Sequence, residues 1–388
     1  MEVRDNYVKK GFLSYPGYSR EIVDILTDGR IKNAIPEERL RDIERVIITG
    51  NGDSYAASLA TREFNSRMFR NKDYYALRCI DVARHFVFPT ERPEKTLVLV
   101  ISVSGGGSRV TEAMARARKK GCTSLAITGN PDSRMAKGAE FVLKIEQPKS
   151  NEPFTISMQT RNYFTALLTT TFFGAYAGLL FGNITGEEID ELKEEVVKYV
   201  EAVCSAEILS LIDDKTEQMA NSWKDYLGFD LCGGGSDFAT AYFGAAKFFE
   251  LCGSLNCLND SEDWCHIDYF QTKRDQLGTI AVAMKNCASF SRTMETVASM
   301  VKSGRNVLVI SDASQEEFYA GAEVITLPSA KHECLNPLMN FIPLFMLANY
   351  IAIKRNYPYF GGMGDENPLF SQEGGINTIK SSEIVYVE

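Results

Sequence analysis

The chain repeats itself at a spacing of about 183 residues. Residues 45–64 contain an apolar strand, a Gly-x-Gly turn and the start of a helix, and residues 229–250 follow the same order. The next apolar strand, residues 97–105, has its counterpart at residues 278–286. Because chance does not keep several successive elements on one offset, the repeat predicts two copies of one fold.

The strands of both copies are near-continuous apolar runs, and helices separate them. Such strands are buried on both faces of a parallel sheet that helices cover. We therefore predict an α/β protein of two tandem, doubly wound parallel-sheet domains, which suits a chain of 388 residues. The predicted boundaries are a leading helical segment (1–40), a first domain (41–190), a second domain (191–360) and a C-terminal tail (361–388).

Charge and cysteine usage narrow the class of protein. With 42 Lys and Arg against 51 Asp and Glu, the net charge of −9 disfavours binding to nucleic acid or anionic lipid. The nine cysteines include no C-x-x-C pair, which indicates reduced thiols in a cytoplasm.

Residues 162–186 and 335–353 are long and uncharged enough to cross a membrane, but no adjoining Lys/Arg cluster fixes an orientation. We predict that they are buried core helices.

One loop after a predicted strand is rich in serine and glycine. It runs from Ser102 through Ser104 and Gly105 to Ser108 and precedes a helix. Backbone N–H groups at a helix start, together with serine hydroxyls, make a cradle for an anion, and parallel sheets bind ligands at this edge. The alternative is a solvated turn with Ser108 as the helix cap.

Neither Gly-x-Gly turn indicates a dinucleotide site. Tyr55 and Phe238 stand where the third glycine of G-x-G-x-x-G belongs. A phosphate held by the serine loop is therefore the better hypothesis.

Only three histidines occur, and His266 is the one with acidic neighbours in sequence. Glu262, Asp263 and Asp268 could each bond a ring nitrogen, which suits acid–base chemistry, although a surface or interface histidine is the alternative. The three cysteines at positions 252, 257 and 265 add no usual zinc-ligand spacing to this histidine. We predict no metal.

Two lysines and one glutamate complete the candidate set. Lys247 and Glu250 are three residues apart on one helix face, either as part of an active site or as a plain surface ion pair. Lys380 lies near the C-terminus, where lysines are usually solvated.

Taken together, these residues resemble the double-domain sugar isomerase (SIS) family, which includes the isomerase half of glucosamine-6-phosphate synthase and the fructosamine-6-phosphate deglycases. The family pattern G-x-G-x5-A-x2-G-A-x-K-x2-E matches residues Gly233 to Glu250 at every fixed position, and His266 follows sixteen residues later as in the family. The family's loop S-x-S-G-x-[TS] matches at Ser102, Ser104 and Gly105, but Gly107 replaces the final hydroxyl residue.

The resemblance implies a substrate site for a sugar phosphate. Its residues by likeness are Ser54, Ser102, Ser104, Gly105, Ser108, Met158 and Thr160. It also implies chemistry on a ketose 6-phosphate or its amine adduct through an enediol or enolamine, with no metal or organic cofactor.

The same resemblance assigns catalytic roles. Glu250 would move the proton between C1 and C2, with Lys247 biasing its charge, and His266 would open the sugar ring. Lys380 would cover the open-chain carbonyl or form an imine. The histidine would reach a neighbouring subunit's site, which implies a homodimer.

Two questions stay open from the sequence, and one activity is not expected. Isomerase and deglycase cannot be separated. A non-catalytic sugar-phosphate-binding regulatory protein is the alternative function, although it would have no use for Glu250 and His266. Because Glu2 follows Met1 where a glutamine-hydrolysing domain carries a cysteine, we expect no glutaminase chemistry.

Overall fold

The computed structural model describes residues 2–148, 155–358 and 382–387. The chain divides into two compact units, which we call the halves. The first half comprises Tyr18–Glu194 and Pro368–Glu388, and the second half comprises Met1–Gly17 and Glu195–Asn367. The predicted domain boundaries stay predictions.

The first half contains a five-stranded parallel sheet in the order β2-β1-β3-β4-β5. Its strands are β1 (Arg45–Gly50), β2 (Asp73–Arg78), β3 (Thr96–Ile101), β4 (Thr123–Thr128) and β5 (Phe141–Lys144). Its helices are α2 (Tyr15–Leu26), α3 (Glu37–Arg41), α4 (Asp53–Ala60), α5 (Arg62–Met68), α6 (Ser108–Lys119), α7 (Arg134–Gly138), α8 (Thr155–Phe181) and α9 (Gly186–Val203). Helices α2 and α9 each contain a point where the chain passes between the halves.

The second half contains a parallel sheet in the order β10-β9-β8-β6-β7. Its strands are β6 (Gly228–Gly233), β7 (Leu255–Asp260), β8 (Leu277–Val282), β9 (Asn306–Ser311) and β10 (Ala322–Thr326). Its helices are α1 (Glu2–Leu13), α10 (Ala206–Trp223), α11 (Gly235–Cys252), α12 (Ser261–His266), α13 (Phe290–Lys302) and α14 (Ile342–Lys354). A π-helical turn (Asp81–His85) and five short 3₁₀ segments (Pro93–Lys95, Asp268–Phe270, Arg274–Gln276, Gln315–Glu317 and Glu333–Leu338) complete the regular structure of the described residues.

The two sheets have the same topology, because the second strand of each lies at an edge and the first strand lies between the second and the third. Their registers also agree, since Gly50 pairs with Ile101 and Cys232 pairs with Ala281. The predicted fold class and internal repeat are therefore confirmed. In each sheet the first and third strands are neighbours, and the strand order runs from them toward opposite edges of the sheet. Doubly wound sheets bind ligands in the crevice at this switch point.

The two long uncharged segments are core helices. Thr160–Phe181 and Glu333–Lys354 each have the length and hydropathy of a membrane span, but 78% and 100% of their most apolar windows are buried inside the protein. Helix α8 packs on α4 and α5, and α14 packs on α10 and α11. This burial confirms the interpretation made from their sequence.

Candidate functional site

The first half presents two turns side by side at the carboxyl edge of its sheet. Strand β1 ends at Gly50, which pairs with Ile101 at the end of β3. A Cβ atom at Gly50 would lie 2.6 Å from the Cβ of Ser54, so glycine is needed for the turn to fold back on α4. Because adjacent strands lie about 4.8 Å apart, Ser54 and the serine loop emerge next to each other.

The serine loop is held in shape by its own groups. The N–H of Gly105 donates to both the carbonyl oxygen and the hydroxyl of Ser102, at 3.1 Å each, and the N–H of Gly106 donates to the Ser104 hydroxyl at 3.4 Å. Gly105 has a φ of +60°, and a Cβ there would lie 2.1 Å from the hydroxyl of Ser133. The fourth position of the loop, Gly105, therefore requires glycine both for its backbone conformation and for space.

Ser108 does not cap the helix that follows the loop. Helix α6 begins at Ser108 with Gly107 as its N-cap, and no side chain bonds the first-turn N–H groups. The Ser108 hydroxyl instead donates to the carbonyl oxygen of Ser382 at 2.7 Å. The alternative of a Ser108-capped turn is therefore wrong, and this hydroxyl holds the backbone of Ser382 beside the loop.

Arginines that the sequence analysis missed flank the loop. Arg109 bonds the side chain of Ser382, at 3.1 Å, and the backbone of Glu383, and Arg134 donates to the carbonyl oxygen of Gly106 at 3.2 Å. Guanidinium groups favour phosphate as a neighbour. Arg109 could have been noticed, since it lies in the first turn of a helix directly after the serine loop.

A buried glutamate binds Arg109, a second arginine and the backbone of one residue near the C-terminus. Glu112 is 1% exposed and accepts hydrogen bonds from Arg84, Arg109 and the backbone N–H of Val385. Although burial opposes it, the bonds from Arg84 and Val385 and the charge of Arg109 lower the pKa of Glu112. The C-terminal residues are thus tied to α6 by charge as well as by hydrogen bonds.

The remaining predicted binding residues are only partly described. Thr160 is buried in α8, and its neighbour Arg161 stacks 4.7 Å from the ring centroid of Tyr18. Met158 lies in the same helix, but its side chain is outside the described residues, as is the whole of Lys380. Their predicted roles stay predictions.

The Lys247–Glu250 pair is more than a surface ion pair. Lys247 is 1% exposed, with its ammonium 2.9 Å from the Glu250 carboxylate and 4.4 Å from the ring centroid of Phe243. The Glu250 side chain is 37% exposed. A buried cation thus fixes a carboxylate that remains open to solvent.

Glu250 lies at the end of its sheet opposite to the ligand-binding edge. Helix α11 starts at Gly235, beyond the carboxyl end of β6, and runs back to Cys252, three residues before β7 begins. Fifteen residues of helix place Glu250 about 22 Å from that start. Within its own half, the glutamate is therefore remote from the crevice between β6 and β8.

His266 is the last residue of α12 and is exposed. Of the acidic neighbours named from sequence, Glu262 contacts it, with 3.0 Å between Oε1 and Nε2. Asp268 turns instead to Asn259 and to the thiol of Cys257. Among the described residues, no group of three or more His, Cys, Asp or Glu side chains is placed to hold a metal ion.

The second half has a carboxyl group where the first half has a serine. The register of the sheets makes Asp237 the counterpart of Ser54, and Asp237 is 1% exposed. Its Oδ2 accepts from the N–H of Met284 at 2.8 Å, while its Oδ1 has no hydrogen-bond partner among the described residues. Burial raises the pKa of Asp237 to about 8 against the effect of the Met284 bond, and Glu333 raises it further. This crevice does not resemble an anion cradle.

Known proteins are similar to this chain in sequence and in fold. No protein-family model matches the chain. The glutamine–fructose-6-phosphate aminotransferase (isomerizing) of Thermococcus kodakarensis is 23% identical over 346 residues, which cover 87% of this chain and 54% of that protein. The enzyme of the same name from Clostridium tetani is 24% identical over 330 residues. The chain thus spans about half the length of these curated relatives.

Solved structures are similar to this chain in fold. The C-terminal domain of glucosamine-fructose-6-phosphate aminotransferase from Francisella tularensis superposes with a TM-score of 0.76 at 18% identity, covering 90% of this chain and 96% of that one. The chain has the double SIS fold. Tagatose-6-phosphate ketose/aldose isomerase from Escherichia coli follows at a TM-score of 0.68 and 16% identity, with 92% and 96% covered. The predicted resemblance to the SIS family of phosphosugar isomerases is confirmed.

Proposed function

We propose that this protein is a cytoplasmic enzyme that isomerises, deaminates or deglycates a ketose 6-phosphate or its amine adduct. The observation that carries the proposal is the buried Lys247 beside the half-exposed Glu250. A carboxylate held by a buried cation and open to solvent suits a base that exchanges a proton with a bound substrate.

The phosphate is assigned to the serine loop of the first half. Ser54, Ser102, Ser104 and Gly105 lie at the edge where parallel sheets bind ligands, and the first-turn N–H groups of α6 carry no side-chain cap. Met158, Thr160 and Ser108 complete the proposed set, with Ser108 acting through the tail that it anchors.

The proton transfer is assigned to the second half. In the direction from ketose to aldose, Glu250 removes the proton from C1 and returns it to C2 through the enediol or enolamine, while a proton on the oxygen or nitrogen of C1 passes to the oxygen of C2. In the amine adduct, water then hydrolyses the resulting imine and releases the amine. Lys247 orients the carboxylate, and His266 opens the sugar ring. Lys380 covers the open-chain carbonyl in this scheme.

The test is incubation with a panel of sugar 6-phosphates and fructosamine 6-phosphates, followed by NMR. Exchange of aldose and ketose identifies an isomerase, and release of free amine identifies a deglycase or deaminase. The isomerizing aminotransferases among the sequence relatives and the ketose/aldose isomerase among the similar structures favour the isomerase arm. Binding without conversion of any substrate would favour the second candidate, a sugar-phosphate-binding regulatory protein.

Replacement of Ser104 tests the phosphate site. We expect Ser104→Ala to weaken sugar-phosphate binding by about 1 to 3 kcal/mol, because a hydrogen bond to a charged group is lost. Titration calorimetry measures this. Ser303→Ala, which removes a hydroxyl bonded to the carbonyl oxygen of Met300 at the end of α13, is the control and should bind normally. An unchanged dissociation constant for Ser104→Ala would mean that the phosphate binds at another site.

A homodimer with shared sites is the proposed assembly. Glu250 lies before the start of β7 and His266 lies after its end, so the two residues are at opposite ends of this strand. This separation supports assigning the two side chains to two different active sites of the dimer. On a ring-forming substrate, we expect Glu250→Gln and His266→Asn each to have strongly reduced but measurable turnover, and the mixture to recover activity, since a heterodimer contains one intact pair. Mass spectrometry verifies the exchange of subunits. Exchange without recovered activity would contradict the shared site.

A further inference from the structure

The ring of His266 is held by a carboxylate one helical turn earlier. Glu262 and His266 are four residues apart on the outer face of α12, with 3.0 Å between Oε1 and Nε2. This spacing brings two side chains of a helix together without distortion. One nitrogen of the ring is therefore already engaged in the protein.

Arg292 keeps that carboxylate ionised. Its Nε donates to Oε2 of Glu262 at 2.6 Å, while its Nη1 donates to Glu295 at 3.0 Å. The hydrogen bond from Arg292, followed by the one from His266, lowers the pKa of Glu262. An ionised carboxylate can only accept hydrogen bonds, so Nε2 of His266 must carry the proton between them. That assignment leaves Nδ1 as the nitrogen that exchanges protons.

The frame of this pair is anchored by an exposed helix cap and by two buried contacts. Asp260 caps α12 by accepting from the N–H groups of Glu262 and Asp263, at 2.8 and 2.9 Å. The indole of Trp264, on the inner face, donates to the buried Asp230 at 2.8 Å. The hydroxyl of Ser261 bonds that of Thr293 on α13 at 2.8 Å. Helix α12 is thus fixed on its inner side while its outer face carries the exposed pair.

We propose that Glu262, held by Arg292, is the positioning residue that fixes the tautomer and direction of His266, so that Nδ1 faces the sugar. The inference rests on the proposed ring-opening role of the histidine. In that step the protonated Nδ1 gives its proton to the ring oxygen as the C2–O bond breaks, and the carbonyl forms as the anomeric hydroxyl loses its proton. That proton returns to Nδ1 and restores the imidazolium.

The test compares Glu262→Gln with Glu295→Gln, which removes the other carboxylate on Arg292 without touching the histidine. We expect kcat of Glu262→Gln to fall roughly 10-fold on a ring-forming ketose 6-phosphate, with KM within about twofold. On a 5-deoxy ketose 6-phosphate, which cannot close its ring, turnover should not change. Glu295→Gln should match the parent on both substrates.

A double mutant separates positioning from an independent role. Because Glu262 acts through His266, adding Glu262→Gln to His266→Asn should cause no further loss, whereas additive losses would overturn the inference. Equal losses on both substrates, or none on either, would overturn it too.

One arm needs no substrate. Selective ¹⁵N labelling of the three histidines should show, from the ring ¹⁵N shifts, that the neutral ring of His266 is mainly the Nε2–H tautomer in the parent and loses this preference in Glu262→Gln, while thermal unfolding is unchanged. A mixed or Nδ1–H tautomer in the parent, or an unchanged preference in the variant, contradicts the inference. Failure of the proposed function shows differently, as absence of turnover by the unmodified protein on every sugar phosphate.

Discussion

Replacing Glu250 by glutamine should reduce turnover by roughly 100-fold or more while substrate still binds. Glutamine keeps the shape and hydrogen-bonding reach of the side chain, and Lys247 remains buried beside it. It cannot accept a proton, so the step between C1 and C2 loses its base. Steady-state kinetics and titration calorimetry, on the substrate identified by NMR, measure the two effects separately.

Glu217→Gln is the matched control for this experiment. Glu217 also lies on a helix of the second half and pairs with a lysine, Lys354, at 3.2 Å. The same substitution there removes an equal charge from a comparable ion pair and should leave turnover unchanged. Full activity of Glu250→Gln would end the enzyme hypothesis based on this glutamate and favour a regulatory protein.

Replacing Asp237 by asparagine should stabilise the protein at neutral and alkaline pH. Burial raises the folded-state pKa of this carboxyl to about 8, whereas an unfolded aspartate has a pKa of about 3.9. The folded state therefore binds the extra proton between these values, and stability is lost as the pH rises through that window. The loss is about 1.4 kcal/mol for each pH unit.

Asparagine retains the acceptor for the Met284 N–H but does not titrate. The charges of Glu333 and Asp312 raise the pKa of Asp237 further, and the thiol of Cys287 lowers it by less than burial raises it. We expect Asp237→Asn to exceed the parent by roughly 3 to 5 kcal/mol in free energy of unfolding at pH 7.5 and to equal it near pH 4. Urea unfolding at a series of pH values measures this difference.

The control for Asp237 is an exposed aspartate. Asp225, which is 81% exposed beside Lys224, loses the same charge in Asp225→Asn. Its stability curve should stay parallel to that of the parent. A parallel curve for Asp237→Asn as well would show that the buried carboxyl does not titrate in the folded state with a raised pKa.

The two parallel-sheet domains could be predicted from the sequence because they depend on local and repeating patterns of residues. Apolar runs such as residues 97–101 form strands that are buried over their whole length, and glycines at positions 50 and 233 end the first strand of each sheet. Hydrophobic periodicity and turn chemistry act over a few residues, so they survive in a single sequence. The offset between the copies then determined the shared strand order.

Side-chain partners depended on the tertiary structure. Ser108 looked like a helix cap, but it bonds Ser382, a residue 274 positions away. A surface ion pair was one of two interpretations of Lys247 and Glu250, but the packing of α11 buries Lys247 and leaves the Glu250 side chain partly exposed. Arg134 reaches the loop through α7, which no local pattern indicates.

By itself, the sequence determined two parallel-sheet halves, the serine loop, and the spacing of Lys247, Glu250 and His266, because these follow from short-range patterns and from the family motif. Only the tertiary structure decided that Glu250 lies at the far end of its helix, that Glu262 and Arg292 hold His266, and that the second crevice encloses a buried carboxyl. Burial, charge pairing and hydrogen bonding between distant residues depend on how the helices and strands pack. Packing brings together residues that are far apart in sequence, so the residues around one position do not predict it.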